Sequence, residues 1–359
     1  MCIRDSIYEV LDYGCAITDA HARMIAQANG IPPFIGVLTD AVQEVINKFG
    51  LDGLDEGDIL ILNDPYMGGA THQNDVVLVM PVFYKGRPIM FAANKGHWND
   101  IGGKDPGSWS PSATDIYQEG IQFPTVRLFH KGEEVRDIVD IIARNGRIPE
   151  MTLGDMRAQA ASLQVAADRI VKVCDKYGLD TVLESIEVYL EQGRQEALEE
   201  LKKLPKGVLP AEEYIDDDGL GGDPVLVKVK VTITDDRFVV DYTGTAKTCR
   251  GPINAPLSAL KSTAKFAYKA VVSPHGDANE GFFAPLEVIV PEDTVFNPKR
   301  PAPISTYWES DSYAGDVIWK ALADVMPDRI TAGHFLSVCG TIVSGIDDRT
   351  GEWFFSVEP

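Results

Sequence analysis

A chain of 359 residues, 45% hydrophobic and 24% charged, is long enough for one large or two ordinary domains and has a globular composition, not a disordered or fibrous one. A formal charge of −21, with no Lys/Arg-rich block to offset it, repels phosphate backbones and anionic bilayers, so neither nucleic acid nor membrane is an expected partner. No run of about 18 apolar residues occurs, "MCIRDSIYEVLDYG" is not a secretory signal, and the five cysteines (Cys2, Cys15, Cys174, Cys249, Cys339) form no CxxC pair; a reduced, cytoplasmic protein without a disulfide framework is predicted.

Along the chain, a short strand is expected at Ala16-Ile17-Thr18, closing on Asp19. A helix follows from about Val37, with Leu38, Val42, Val45 and Ile46 at helical spacing and Gly50 at the C-cap. From Asp58 to Gly103 the pattern turns to β. "DILIL", "DVVLVMPVF" and "IMFAAN" are strands, and "YKGRP" is the turn joining the last two. A hairpin turning at Lys85-Gly86 brings the loops at 63–75 and 94–103 to the same end of the sheet. Residues 151–204 are helical: Leu153, Met156, Ala160, Leu163, Ala167, Ile170, Cys174 and Tyr177 form one apolar stripe. Gly178 breaks the stripe and Asp180 is the expected N-cap of a second helix. "EEYIDDDGLGGDP" (212–224) reads as a linker, "VLVKVKVTI" and "RFVVDYTGT" as paired strands, and 258–271 as a helix followed by short strands and turns. Both termini read as cut ends of a longer chain.

The chemistry-bearing stretches lie on the two converging loops. "NDPYMGGATHQND" supplies Asn63, Asp64, Tyr66, His72, Asn74 and Asp75; "NKGHWNDIGG" supplies His97, Asp100, Gly102 and Gly103. Two His-x-x-Asp units at one sheet end offer two imidazoles and two carboxylates, a mixed nitrogen/oxygen set suited to Mn²⁺, Fe²⁺ or Zn²⁺ and lacking the thiolates of a soft-ion site. Their competing reading is as turn caps that satisfy loop backbone. His72, Asp75, His97 and Asp100 are thus the candidate metal ligands. Asn63, Asp64 and Asn74 are candidate acceptors behind the imidazoles, and Asp64 or Asp75 is a general base if it is not a ligand. The aperiodic "DPGSWSPSATDIYQEGIQFP" is either a functional loop presenting Asp115, Tyr117, Gln118 and Glu119 or a solvated one. "CRGPINAP" offers Arg250 and Asn254 to an anionic group or is a structural turn. "SPHGDANEGFF", with His275, Asp277, Asn279 and Glu280, reads first as a turn. No GxxxxGK(S/T) loop, strand–GxGxxG–helix unit or GxSxG elbow is present.

"GDILILNDPYMGGATHQNDVVLVMPVF", "KGHWNDIGG", "PGSWSPSATDIYQEGIQFP", "NGRIPEMTLGDMRAQ", "DYTGTAKTCRGPINAPL" and "NEGFFAPLEVIVPEDTVFNP" resemble, in order, the hydantoinase B/oxoprolinase family. The resemblance runs from about Ile7 to Pro359. It implies a two-part, ATP-dependent system in which an actin-like, A-type partner takes ATP and phosphorylates a substrate carbonyl oxygen, and the B-type chain completes hydrolysis or carboxylation. His72, Asp75, His97 and Asp100 fall at the family's histidine and aspartate positions, similar to a manganese site in the carboxylase branch. Trp98 and Asn99 depart from the His-Ala common in hydantoinase-type members.

The resulting expectation is an α+β chain of mixed and antiparallel sheets, with regions 1–150, 151–211 and 212–359. Asp64, Asp75, Asp100 and Glu119 are its candidate catalytic groups. Asn63, Tyr66, Gly102, Gly103, Tyr117, Gln118, Arg250 and Asn254 are its candidate substrate contacts. The first functional expectation is a B-type subunit of a hydantoinase or 5-oxoprolinase-like hydrolase acting on a cyclic amide. It would hold a divalent metal, Mn²⁺ before Zn²⁺ or Fe²⁺, in a hetero-oligomer with an ATP-binding hydantoinase A-type subunit. The alternatives are a subunit of an acetone/acetophenone carboxylase, and a non-catalytic scaffold for the A-type partner.

Overall fold

A computed structural model describes residues 11–358 except 29, 32, 33, 35, 108, 334, 339, 340 and 352, so Cys2 and Cys339 lie outside the described residues. The chain is α+β. Its first elements are β1 (Tyr13–Asp19), β2 (Met24–Gln27), α1 (Leu38–Phe49), β3 (Ile59–Leu62), β4 (Asp75–Tyr84), β5 (Arg87–His97), β6 (Val126–His130) and β7 (Glu133–Glu134). Among the described residues these strands form one antiparallel sheet in the order β2-β1-β5-β4-β3-β6-β7.

The centre of this sheet is dictated by β4. A strand covered on both faces must be apolar at consecutive positions. Val76, Leu78, Met80 and Val82 enter one core, while Val77 and Val79 enter another. The first core is closed by α2 (Arg136–Asn145), α3 (Pro149–Tyr177) and α4 (Leu179–Lys203), using the predicted stripe Met156, Ala160, Leu163, Ala167, Ile170 and Cys174. The second is closed by α1 and by the C-terminal half of the chain. Each large apolar side chain fully buried there contributes about 1.5–3 kcal/mol. Helix α4 starts at Leu179 with Gly178 as its N-cap, so Asp180 sits inside the first turn, where its charge favours the helix N-terminus without capping it.

The C-terminal half contains β8 (Gly207–Ile215), β9 (Val225–Ile233), β10 (Phe238–Asp241), α5 (Leu257–Val272), β11 (Leu286–Ile289), α6 (Trp308–Leu322), β12 (Thr341–Ile346) and β13 (Trp353–Glu358). The second sheet runs β11-β10-β9-β8 with β10 and β11 parallel, and β12 pairs with β13. This half departs from the sequence expectation at two elements. Residues 212–215 belong to β8, because alternate side chains along 207–215 are half-buried against α6. Trp308–Leu322 is a helix, not part of a string of strands and turns; it buries Ala314, Val317, Ile318, Ala321 and Leu322 at helical spacing.

The hairpin β4–β5 positions the site. Lys85 (φ 51°) and Gly86 (φ 81°) both take the left-handed backbone that a tight two-residue turn requires. The register that follows sets Asp75 opposite His97. Gln159 of α3 clamps that end of the hairpin: its Nε2 donates to Val76 O (3.1 Å), its Oε1 accepts from Trp98 Nε1 (2.7 Å), and its backbone O accepts from Asn94 Nδ2 (2.8 Å).

Candidate metal centre

His72 leaves the loop before β4, Asp75 opens β4 and His97 ends β5. The three meet. His72 Nε2 is 3.2 Å from His97 Nδ1, and Asp75 Oδ1 is 3.0 Å from His97 Nδ1 and 3.3 Å from His72 Nε2. The imidazoles are stacked, with centroids 5.0 Å apart and planes 27° from parallel. All three residues are buried. Donor separations near 3 Å are those of neighbouring ligands on one ion with bonds of about 2.0–2.2 Å, and the two-nitrogen, one-oxygen set suits a borderline divalent cation. Asn74 ties the two loops together: its Nδ2 donates to Trp98 O and its O accepts from Trp98 N–H, each at 2.8 Å.

The surroundings are polar and closed. Asp12 lies beside His97, its Oδ2 3.9 Å from His97 Nδ1, while its backbone O accepts from His97 N–H at 3.1 Å. Lys95 Nζ is 3.1 Å from Asp75 Oδ2 and donates to Thr71 Oγ1 at 2.6 Å. Tyr307 and Trp308 pack on the His72 ring, each with its centroid 5.6 Å away, and Trp109 packs at a tilt against Trp308. Burial pushes the Asp12 carboxyl up to about 6. Burial also acts upward on Asp75, but the charges of His72 and Lys95 outweigh it and hold that carboxyl well below its usual range. Burial lowers His72, whereas for His97 the opposing effects of Asp75 and Asp12 prevail and raise it.

The other residues singled out in the sequence are placed elsewhere. Asp100 is not brought into the cluster. Its Oδ1 accepts from Gly102 N–H and Arg147 N–H, both at 3.0 Å, and its Oδ2 accepts from Gly107 N–H (3.0 Å) and Arg147 Nη1 (2.8 Å). Four donors on one carboxylate make it the organiser of its loop. Asn63 likewise holds backbone, donating to Gln73 O and Ile121 O and accepting from Phe123 N–H. Asp64 caps the turn at Tyr66 and pairs with Arg300, whose guanidinium lies over the Tyr66 ring at 4.9 Å; the Tyr66 hydroxyl donates to Ala302 O. Among the described residues, Asn63, Asp64 and Asn74 spend their side-chain bonds on backbone and on Arg300, not on an imidazole. Gly102 and Gly103 (φ 89° and 95°) are required by close approach, since a Cβ would meet Asn145 O at 2.9 Å in one case and the Glu119 backbone carbonyl carbon at 2.9 Å in the other.

Tyr117 is exposed, and Gln118 bonds within its own turn to Thr114 and Asp115. Asn254 is a buried turn staple bonded to Cys249, Gly251 and Pro303, while Arg250 is exposed. Asn279 is buried between Tyr189 O and Phe282 N–H, and Glu280 pairs with Lys265. A second carboxylate–histidine group, Asp55, Asp58 and His130, is occupied by Arg127, which donates to Asp58 Oδ2 at 2.9 Å. Asp12, Thr71, Lys95, Tyr307 and Trp308 were missed by the sequence reading. Lys95 had a signal, a charge close behind the apolar run Ile89–Ala93; Asp12 and the Tyr307-Trp308 pair arrive by long-range contacts that leave no local trace.

Comparison with known proteins gives this arrangement a context. The sequence model of hydantoinase B/oxoprolinase matches residues 2–359. The chain belongs to that family. The B-type subunit of a putative D-/L-hydantoinase from a Pseudomonas strain is 32% identical over 343 residues, which is 91% of this chain and 58% of that protein. The crystal structure of an ATP-dependent caprolactamase from Pseudomonas jessenii superposes with a TM-score of 0.89 at 28% identity, covering 96% of this chain and 59% of that one. The nucleotide-free structure of an acetone carboxylase superposes with a TM-score of 0.90 over 98% of this chain and 49% of that one; at 19% identity it shows a shared fold. The chain spans about three fifths of the length of the hydantoinase and caprolactamase subunits it matches. Among the described residues no helix is long and apolar enough to cross a membrane.

Proposed function

We propose that this chain is the B-type part of an ATP-dependent enzyme that opens a cyclic amide, and that His72, Asp75 and His97 hold a divalent metal ion there, with Asp12 beside His97. One observation carries the reading. Two imidazole nitrogens and a carboxylate oxygen lie within 3.0–3.3 Å of one another in a buried place, in a family whose relatives include a putative hydantoinase and the beta chain of a caprolactamase. A bound divalent ion supplies Lewis acidity for a carbonyl or an activated water. The chain's own residues do the rest. The β4–β5 register holds the ligands, Asn74 and Gln159 keep the two loops at one sheet end, and Tyr307 and Trp308 exclude water from the His72 ring. In this reading Asp64 and Asp100 act by shaping loops, since their carboxylates are already engaged by arginine and backbone donors.

ATP is assigned to an A-type partner, because this sequence lacks the phosphate-binding motifs named above. Co-expression with that partner, followed by ATP-hydrolysis and product assays over lactams, hydantoins and ketones, tests the proposal. Ring-opened amino acid formed only when both chains and ATP are present supports it. Bicarbonate consumption with a ketone would move the chain to the carboxylase branch. No turnover and no stoichiometric metal would leave it a scaffold.

A further inference from the structure

A strand buried on both faces is an expensive place for an ammonium group, yet β5 carries Lys95 there with no exposed surface. Taking such a charge out of water costs several kcal/mol, so a position that served packing alone would be filled by an aliphatic side chain. Lys95 lies 3.8 Å over the Phe34 ring, donates to Thr71 Oγ1 at 2.6 Å and sits 3.1 Å from Asp75 Oδ2. The Thr71 hydroxyl donates to that same oxygen. Both imidazoles face the other one, Oδ1, at 3.0 and 3.3 Å. The carboxylate is therefore divided, with Oδ1 turned to the histidines and Oδ2 held by a lysine and a threonine.

We propose that Lys95, together with Thr71, sets which ion the site accepts by keeping Asp75 Oδ2 occupied. This rests on the metal reading above. With Oδ2 engaged, Asp75 offers one oxygen only. The site then disfavours calcium, which takes six to eight oxygen ligands and uses bidentate carboxylates, and keeps its preference for ions that bind imidazole well, such as zinc. Lys95 is a positioning residue in this scheme; it touches neither ion nor substrate.

Removing Lys95 has two consequences that separate by ion. Loss of a positive charge strengthens the binding of every divalent cation alike. Loosening of Oδ2, which Thr71 alone then holds, helps only an ion that can use a second carboxylate oxygen. The readout is therefore the ratio of Ca²⁺ to Zn²⁺ affinity, measured by chelator competition on the full-length protein for wild type and Lys95→Met. Partners of metal ligands typically change affinity by about 10–100-fold, and the ratio is expected to rise in favour of Ca²⁺ by at least about tenfold. Equal changes for both ions overturn the proposal while leaving the metal site intact. A wild-type protein that takes up neither ion overturns the metal reading itself. Should Lys95→Met not fold, Thr71→Val removes the other donor to Oδ2; a smaller rise in the same direction supports the proposal and an unchanged ratio overturns it.

Discussion

Replacing Glu119 by Gln probes a buried acid that titrates where other carboxylates have already ionised. Glu119 is 5% exposed; its Oε1 accepts from Ile304 N–H (2.6 Å) and Ser305 N–H (2.9 Å), while its Oε2 has no hydrogen-bond partner among the described residues. Burial pushes the carboxyl up from 4.5 to about 8, against the pull of those two N–H groups. A folded-state value above the unfolded one means the native protein keeps a proton that the unfolded chain has released. The associated stability is whole below about pH 4.5 and drains away as pH rises through 8. At 1.36 kcal/mol per pKa step, the gap corresponds to a ceiling on the order of 5 kcal/mol, most of it gone by pH 8.5. Gln is neutral at every pH and retains the oxygen that Ile304 and Ser305 use. Urea unfolding of both proteins at pH 5 and pH 8.5 gives a difference in which all other titrations cancel. Wild type minus Glu119→Gln should fall by about 4 kcal/mol over that range. Parallel stability curves would refute the reasoning, for they would mean that Glu119 is ionised in the folded protein like any exposed glutamate.

His72→Ala and Asp75→Asn should each abolish stoichiometric metal in emission spectroscopy of the purified protein. Wild type alone should gain about 2.7 kcal/mol of stability at an ion concentration 100 times the Kd. Asp100→Ala should retain metal, since Asp100 stands outside the cluster. It should still cost about 3 kcal/mol in denaturant unfolding, the low end for a broken buried pair because the Arg147 side chain is 30% exposed and regains water. Gly103→Ala should cost about 1–2 kcal/mol for its left-handed backbone, and more for a Cβ 2.9 Å from the Glu119 carbonyl carbon; a change in thermal midpoint too small to resolve would contradict that contact.

Much of the fold was legible because its signals are local. The consecutive apolar residues of β4, the Lys85-Gly86 turn and the Met156–Cys174 stripe each follow from a periodicity that burial imposes on the chain. Hairpin geometry also sufficed to bring His72, Asp75 and His97 together, since antiparallel neighbours joined by a tight turn have only one way to align. What sequence alone could not distinguish is how a polar residue spends its hydrogen bonds. Asp75 and Asp100 occupy equivalent places in repeated His-x-x-Asp units, yet one points at two imidazoles and the other is saturated by Gly102, Gly107 and Arg147. That difference comes from Arg147, 47 positions further along the chain, just as Asp12 reaches the cluster through β1 and Tyr307 through the approach to α6. Periodicity records which way a side chain faces. Its partner is settled only when distant segments pack, and at this site the packing decides which carboxylate is free to meet a cation.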